Sequence, residues 1–382
     1  MIGRSSRDAG QRVAPAPDAA LVAAVALLAG FGLVMIHSAT AHLAPEGSFG
    51  LAADFKRHAA GAAVAALGAV VVSRAPLAFW HRLALPFWAL AVALLAATLA
   101  QGVSVNGARR WLALPGIGMR FQPAELAKLA TVLAVASLLA RRDGQIPNSL
   151  GRLWAPAGVA LLPAALLVAQ PDLGNAVLVL VLVAALLFAA GTPLAMFRLP
   201  LVLGAAGMAL YVSLRSYAWS RLTGFLDPWA RADAEGYQLV QSFVGFARGG
   251  VWGVGLGDGR QKLFYLPEAH TDFILAVVAE ETGLAGVLVV LGGFAALAVA
   301  GLQIARRARD RFALLLAFGA TLLLAVPALL NTAVVTGSVP TKGLPLPFLS
   351  YGRSAMLSSF AAVGLLLAVA RRAPPPPPRF HQ

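Results

Sequence analysis

The chain has 382 residues and a formal charge of +14; 59% of it is apolar and only 12% is charged. A soluble domain carries about 25% charged residues, so one aqueous core cannot absorb this composition, and the mean hydropathy of +0.78 points to the bilayer as solvent. The basic residues are scattered between apolar runs, which fits membrane topology rather than a nucleic-acid ligand. Cysteine is absent, excluding disulfides and thiolate chemistry. The six histidines are dispersed, and no two share a metal-site spacing.

Arg4, Arg7 and Arg12 precede an apolar run from Ala19 to Ile36. That run is too long for a signal-peptide core and reads as a retained first span. A helix needs about 20 apolar residues to cross the hydrocarbon. Ten segments qualify, near 19–38, 58–73, 83–100, 122–140, 153–169, 174–190, 194–213, 272–302, 312–336 and 353–370. The pattern predicts an all-α polytopic membrane protein of about ten transmembrane helices. A large extracytoplasmic loop, 214–271, lies between helices 7 and 8. The span near 272–302 is long enough to tilt or protrude. A cytoplasmic N-terminal tail (1–18) precedes the membrane domain (19–371). A proline-rich cytoplasmic tail (372–382) follows, and its Pro374–Pro378 tract reads as an extended, disordered end. No internal repeat of fixed period is present.

Lys and Arg set the orientation. With the N-terminus in the cytoplasm, the inside segments hold sixteen of the thirty and the outside segments thirteen, with Lys128 inside a span. Six of the outside residues lie in the one long loop, which the positive-inside rule discounts. Both termini are therefore expected in the cytoplasm.

Four extracytoplasmic regions depart from plain span-and-turn sequence. They are Asn106–Trp111 with Phe121–Lys128, Gln170–Gly174, the long loop ending at Tyr265–Asp272, and Pro340–Gly343 leading to Leu349–Gly352. Arg109 and Arg110 suit headgroup anchoring, Pro123 a helix start, and Asp172 a helix cap. Gly253, Gly255, Gly257 and Gly259 superficially resemble a nucleotide loop, but no strand–helix unit surrounds them, and a flexible turn is expected. Glu125 and Lys128 are three apart, on one helix face, and can pair. Glu280 and Glu281 lie about two turns into a span, where ionisable groups are costly unless paired or wet. Asp272 starts a helix at the membrane surface. It reads either as a helix cap or as a carboxylate able to take a proton from a substrate hydroxyl.

Five stretches, taken together and in order, resemble the SEDS family of shape, elongation, division and sporulation proteins. They are Asn106-Gly107-Ala108-Arg109-Arg110-Trp111, Phe121-Gln122-Pro123-Ala124-Glu125-Leu126, Gln170-Pro171-Asp172, Tyr265 to Asp272, and Pro340-Thr341-Lys342-Gly343. The resemblance covers residues from about 20 to 370. Gly236-Tyr237-Gln238-Leu239 and Gln261 to His270 look more like the family's division branch, with the elongation branch the near alternative. Ser350-Tyr351-Gly352-Arg353-Ser354 departs from the family's usual Ser-Tyr-Gly-Gly-Ser, placing a cation where a small residue is expected.

The resemblance implies a peptidoglycan glycosyltransferase that polymerises lipid II. It implies Asp272 as the catalytic carboxylate, with Arg109, Arg110, Glu125, Lys128, Asp172, His270 and Lys342 toward substrate. Gln122, Pro123, Glu280 and Glu281 would be supporting residues. Positive charge on the leaving pyrophosphate would come from arginine or lysine or from a divalent cation, Mg2+ or Mn2+, for which Asp272 is a candidate ligand. The implied partner is a class B penicillin-binding protein, a transpeptidase, with other divisome or elongasome proteins. Two other readings stand beside it: a lipid II flippase built around Glu125, Lys128 and Glu280, and a scaffold that only recruits the transpeptidase.

Overall fold

Helices begin where the sequence supplies caps. Pro123 occupies the first turn of α4 (Pro123–Ala140), where its missing N–H costs nothing. Asp310 accepts from Ala313 N to cap α11 (Arg311–Val335), and Asp172 accepts from Asn175 N to cap α6 (Leu173–Ala189). The computed structural model describes residues 17–41, 53–105, 108–114, 119–141 and 150–372. The remaining helices are α1 (Pro17–Thr40), α2 (Ala53–Arg74), α3 (Leu77–Gln101), α5 (Leu150–Ala169), α7 (Arg198–Leu214), α8 (Ser216–Leu226), α9 (Tyr237–Gly249), α10 (Ile274–Arg306) and α12 (Arg353–Ala370). Among the described residues, eight helical segments are long and apolar enough to cross a membrane, while α5 and α6 are shorter apolar helices. All ten predicted segments fall on these helices. Asn106, Gly107, the first sixteen residues and Pro374–Pro378 lie outside the described residues.

The bundle is centred on α4, which is buried along almost its whole length against α3, α6, α11 and α12. α1 packs on α10, and α2 on α12. α7 has no buried residue and packs chiefly on its neighbours in sequence, the 3-10 turn Leu194–Phe197 and α8. Leu199, Leu201 and Leu203 stand exposed on it. An apolar helix bare on every side fits a hydrocarbon solvent, not water.

Three features go beyond the predicted plan. The connection from α3 to α4 carries a small antiparallel meander of β1 (Val103–Val105), β2 (Ala108–Leu114) and β3 (Met119–Phe121). The long loop is structured, holding α8, α9 and a π-helical turn at Gln261–Tyr265. The long span does not simply tilt or protrude: α10 is broken at Gly283, whose φ of 66° and ψ of −165° are not helical. A left-handed φ of this kind favours glycine, which has no Cβ to clash. The segment 250–255 bonds to the break from both sides. Val254 N and Gly255 N donate to the carbonyls of Glu280 and Glu281, while Leu284 N and Ala285 N donate to those of Gly250 and Val251. Backbone groups released by the break thus find partners.

Candidate active site

Asp272 sits just before α10, at the end of a turn in which Thr271 N and Phe273 N both donate to Glu268 O. The helix cap is Phe273, and no side chain bonds there. The cap reading of Asp272 therefore fails. Among the described residues, no hydrogen bond or ion pair reaches its carboxylate. Its backbone, in contrast, is pinned. Asn331 Nδ2, from α11, donates to Asp272 O at 2.7 Å and to Leu344 O at 2.9 Å. Ser350 Oγ donates to Thr271 O at 2.5 Å, and Tyr351 N to His270 O at 2.8 Å. The loop from 336 to 352 is thereby laced to the strand of chain that carries Asp272. Gly343 lies close against the carboxylate: a Cβ there would lie 2.5 Å from Asp272 Oδ2, so the carboxylate would have to turn aside.

Burial, reinforced by the charge of Glu268, pushes the Asp272 carboxyl up to about 7, against the opposing pull of Arg221 and Arg110. These cations come from separate elements. Arg110, on β2, donates through Nη2 to Pro171 O. Arg221, on α8, donates to Thr341 O at 2.9 Å. Lys342 packs its stem against Gly174. Burial lowers the Lys342 pKa, Asp172 opposes that shift, and Arg221 adds to it. Asp172 itself is engaged by Asn175, whose Nδ2 donates to Oδ2 at 2.8 Å.

The structure thus gathers Asp272, Arg110, Asp172 and Lys342, and it adds Arg221, Glu268 and Asn331, which the sequence did not single out. Arg221 belongs to the long loop, on α8, a helix that the sequence reading did not resolve. Arg109 is not gathered. It is exposed on β2 and adjacent to Arg110, and alternate residues of a strand face opposite sides. His270 meets Tyr351 edge-on, with ring centroids 5.7 Å apart. Tyr351 Oη in turn donates to Asp54 Oδ1 at 3.1 Å. Arg353 opens α12 and lays its stem along Gly61 of α2.

Glu125 and Lys128 form a buried pair at 2.6 Å. Ser358 Oγ donates to Glu125 O at 3.0 Å, and Ser354 Oγ accepts from Gln122 N at 3.0 Å. The cavity beside the pair is about 10 Å³, lined also by Pro327, Pro345 and Pro347. It has room for one water at most.

Glu280 and Glu281 form a second buried centre. Glu280 accepts from Arg248 Nη1 at 2.5 Å, Arg260 N at 3.0 Å and Gln261 N at 2.9 Å. Glu281 accepts from Lys262 Nζ at 2.6 Å, Ser38 Oγ at 2.6 Å and Gly257 N at 3.1 Å. The glycine-rich stretch is therefore no free turn, since it is tied into the bundle through these two carboxylates. Among the described residues, no three His, Asp or Glu side chains converge as a metal site.

The profile of the cell cycle protein family that groups FtsW, RodA and SpoVE matches residues 19–374. The chain belongs to this family. Its relatives include proteins named "Probable peptidoglycan glycosyltransferase FtsW". The one from Trichlorobacter lovleyi is 40% identical over 92% of this chain and 93% of its own length. The one from Coxiella burnetii is 40% identical over 92% and 96%. Among solved structures, a peptidoglycan synthase complex that coordinates polymerization and crosslinking superposes with a TM-score of 0.76, at 29% identity over 92% of this chain and 96% of that one. The rod shape determining protein RodA of Thermus thermophilus superposes with a TM-score of 0.67, at 29% identity over 92% and 95%. Family membership and the apolar helices together make the chain a multi-pass bacterial membrane protein.

Proposed function

We propose that this FtsW/RodA family member is a peptidoglycan glycosyltransferase that polymerises lipid II at the outer face of the inner membrane. The observation that carries the reading is an unbonded carboxylate, Asp272, raised to about 7 and faced by Arg110 and Arg221. A general base works best when its pKa lies near the operating pH. The acceptor sugar's C4 hydroxyl gives its proton to Asp272 as its oxygen bonds to the donor's anomeric carbon. The bond from that carbon to the pyrophosphate breaks, and the lipid pyrophosphate leaves with the electron pair. Arg110, Arg221 and Lys342 would stabilise that charge. Among the described residues no three metal-binding side chains converge, so a divalent cation would be held on the protein side by Asp272, and it would supply positive charge to the leaving pyrophosphate.

Similarity to FtsW proteins near 40% identity, against 29% for RodA, supports septal synthesis during division over elongation. The likeness to a synthase complex supports a class B penicillin-binding protein as partner. Arginine distribution supports cytoplasmic termini. The flippase reading needs a passage beside Glu125 and Lys128, and the 10 Å³ cavity that their ion pair lines does not favour one.

The deciding experiment incubates the purified protein and its transpeptidase partner with lipid II. Wild type makes glycan polymer, and Asp272→Asn loses activity by about 100-fold or more. Polymer made equally well by the variant would sink Asp272 as the base. Headgroup translocation in vesicles that survives Asp272→Asn and is lost in Glu125→Ala would favour transport.

A further inference from the structure

At the end of the bundle opposite Asp272, the α10–α11 turn, the C-terminus of α12 and the start of α3 line an open cavity of about 440 Å³. Its floor is apolar, formed by Leu77, Ala313 and Val369, all buried. Its rim is cationic, formed by Arg309, Arg371 and Arg372. Asp310 is the sole carboxylate lining it, and one of its oxygens is occupied in capping α11 through Ala313 N at 2.8 Å. Arg371 is engaged with Ser73 O at 3.3 Å. The guanidinium groups of Arg309 and Arg372 have no protein partner among the described residues.

The positive-inside rule accounts for an excess of arginine at this end. It does not account for three of them closing on one cavity with two forks unspent. A planar guanidinium matches phosphate oxygens in a bidentate fashion. Basic pockets between membrane helices suit lipid headgroups, whose glycerol and acyl portions an apolar floor would receive. We propose that this cavity is a phosphate-binding site, separate from the Asp272 centre, that takes the phosphodiester of an anionic membrane phospholipid. Free phosphate offers the same oxygens without the apolar portion, so the two sources are separable. The inference does not depend on the proposed polymerase activity.

The test uses the full chain purified in detergent. Native mass spectrometry counts lipid retained after adding phosphatidylglycerol or phosphatidylcholine, with and without inorganic phosphate. Wild type is expected to retain phosphatidylglycerol in preference to phosphatidylcholine. Arg309→Gln/Arg372→Gln should bind it about tenfold more weakly, the loss of one charge-assisted contact or more, while Arg309→Lys/Arg372→Lys keeps most of the affinity. The thermal midpoint of each variant without lipid checks that the fold is intact. Displacement of the lipid by inorganic phosphate in wild type only, with no preference between the two lipids, would assign the site to soluble phosphate and overturn the lipid source. Equal retention of both lipids without phosphate competition, or retention unchanged in the glutamine variant, would overturn the site itself.

Discussion

At the scale of single residues, Asp272 must be ionised to accept a proton, yet its surroundings favour the neutral acid. The proton is held up to about 7 chiefly by burial. The active species is the carboxylate, so the rate should rise with pH through about 7 and fall about tenfold per unit on the acid side. Initial polymerisation rates between about pH 5 and 9 read this directly, and a profile flat to the acid end would remove Asp272 from the proton transfer. The same shift bears on stability with the opposite sense. The folded chain holds this proton more tightly than the unfolded one, whose aspartate titrates near 4. Stability from this group is fully present below that pH and lost as pH rises through about 7. Asp272→Asn should therefore raise the thermal midpoint at pH 8 and leave it nearly unchanged at pH 4. Asn331 acts at one remove, since its amide bridges the backbone of Asp272 to that of Leu344, two residues beyond Lys342. Asn331→Ala frees the base from the cation loop. An error of about 1 Å in placement costs on the order of 100-fold, so kcat should drop strongly while KM changes little. A KM effect alone would make Asn331 a substrate contact instead of a positioning residue.

At the scale of elements, the break in α10 is the informative feature. Sequence periodicity read 272–302 as one long span, because Gly283 within an apolar run is compatible with a helix. Likewise the run from Gly253 to Gly259 looked like a flexible turn, since the acceptors that fix it, Glu280 and Glu281, lie some twenty residues further along. Each half is intelligible only once the other is in place: the glycines let the backbone approach, and the carboxylates gather the N–H groups that result. The ten apolar segments were legible because each carries its own signal. The partnership between loop and break carries none that is local. Gly283→Ala tests it. A Cβ at that position meets Gly253 N and Val251 O, and alanine is strained at a φ of 66°. Left-handed strain costs on the order of 1–3 kcal/mol before the clash is counted. The variant should melt at lower temperature and expose the 250–260 segment to limited proteolysis. Melting and cleavage like those of wild type would mean that the break is not required.

At the scale of the whole molecule, among the described residues two ion pairs are buried on both sides, beside the half-buried Arg248–Glu280 pair, and only one of the two explains itself from the fold. Glu281 and Lys262 fasten a loop. Glu125 and Lys128 lie on a single helix, three residues apart, and line a cavity of only 10 Å³. Their pairing was legible from spacing, whereas their burial against α11 and α12 was not, because nothing in the α4 sequence says which neighbours will surround it. A pair of this kind either holds the bundle together or serves the substrate, and energetics separates the two. Glu125→Gln leaves a buried ammonium without its counterion, at a cost of about 3–5 kcal/mol, while replacing both partners by uncharged residues of similar volume is often close to neutral. If the pair is structural, Glu125→Gln should melt well below wild type, and Glu125→Gln/Lys128→Met should recover both the melting temperature and polymer synthesis. If the pair touches lipid II, the double variant should regain its melting temperature and still fail to polymerise. The small cavity and the short ion pair favour the structural outcome, because a charge already satisfied at 2.6 Å by a neighbour on its own helix has little left to offer a ligand.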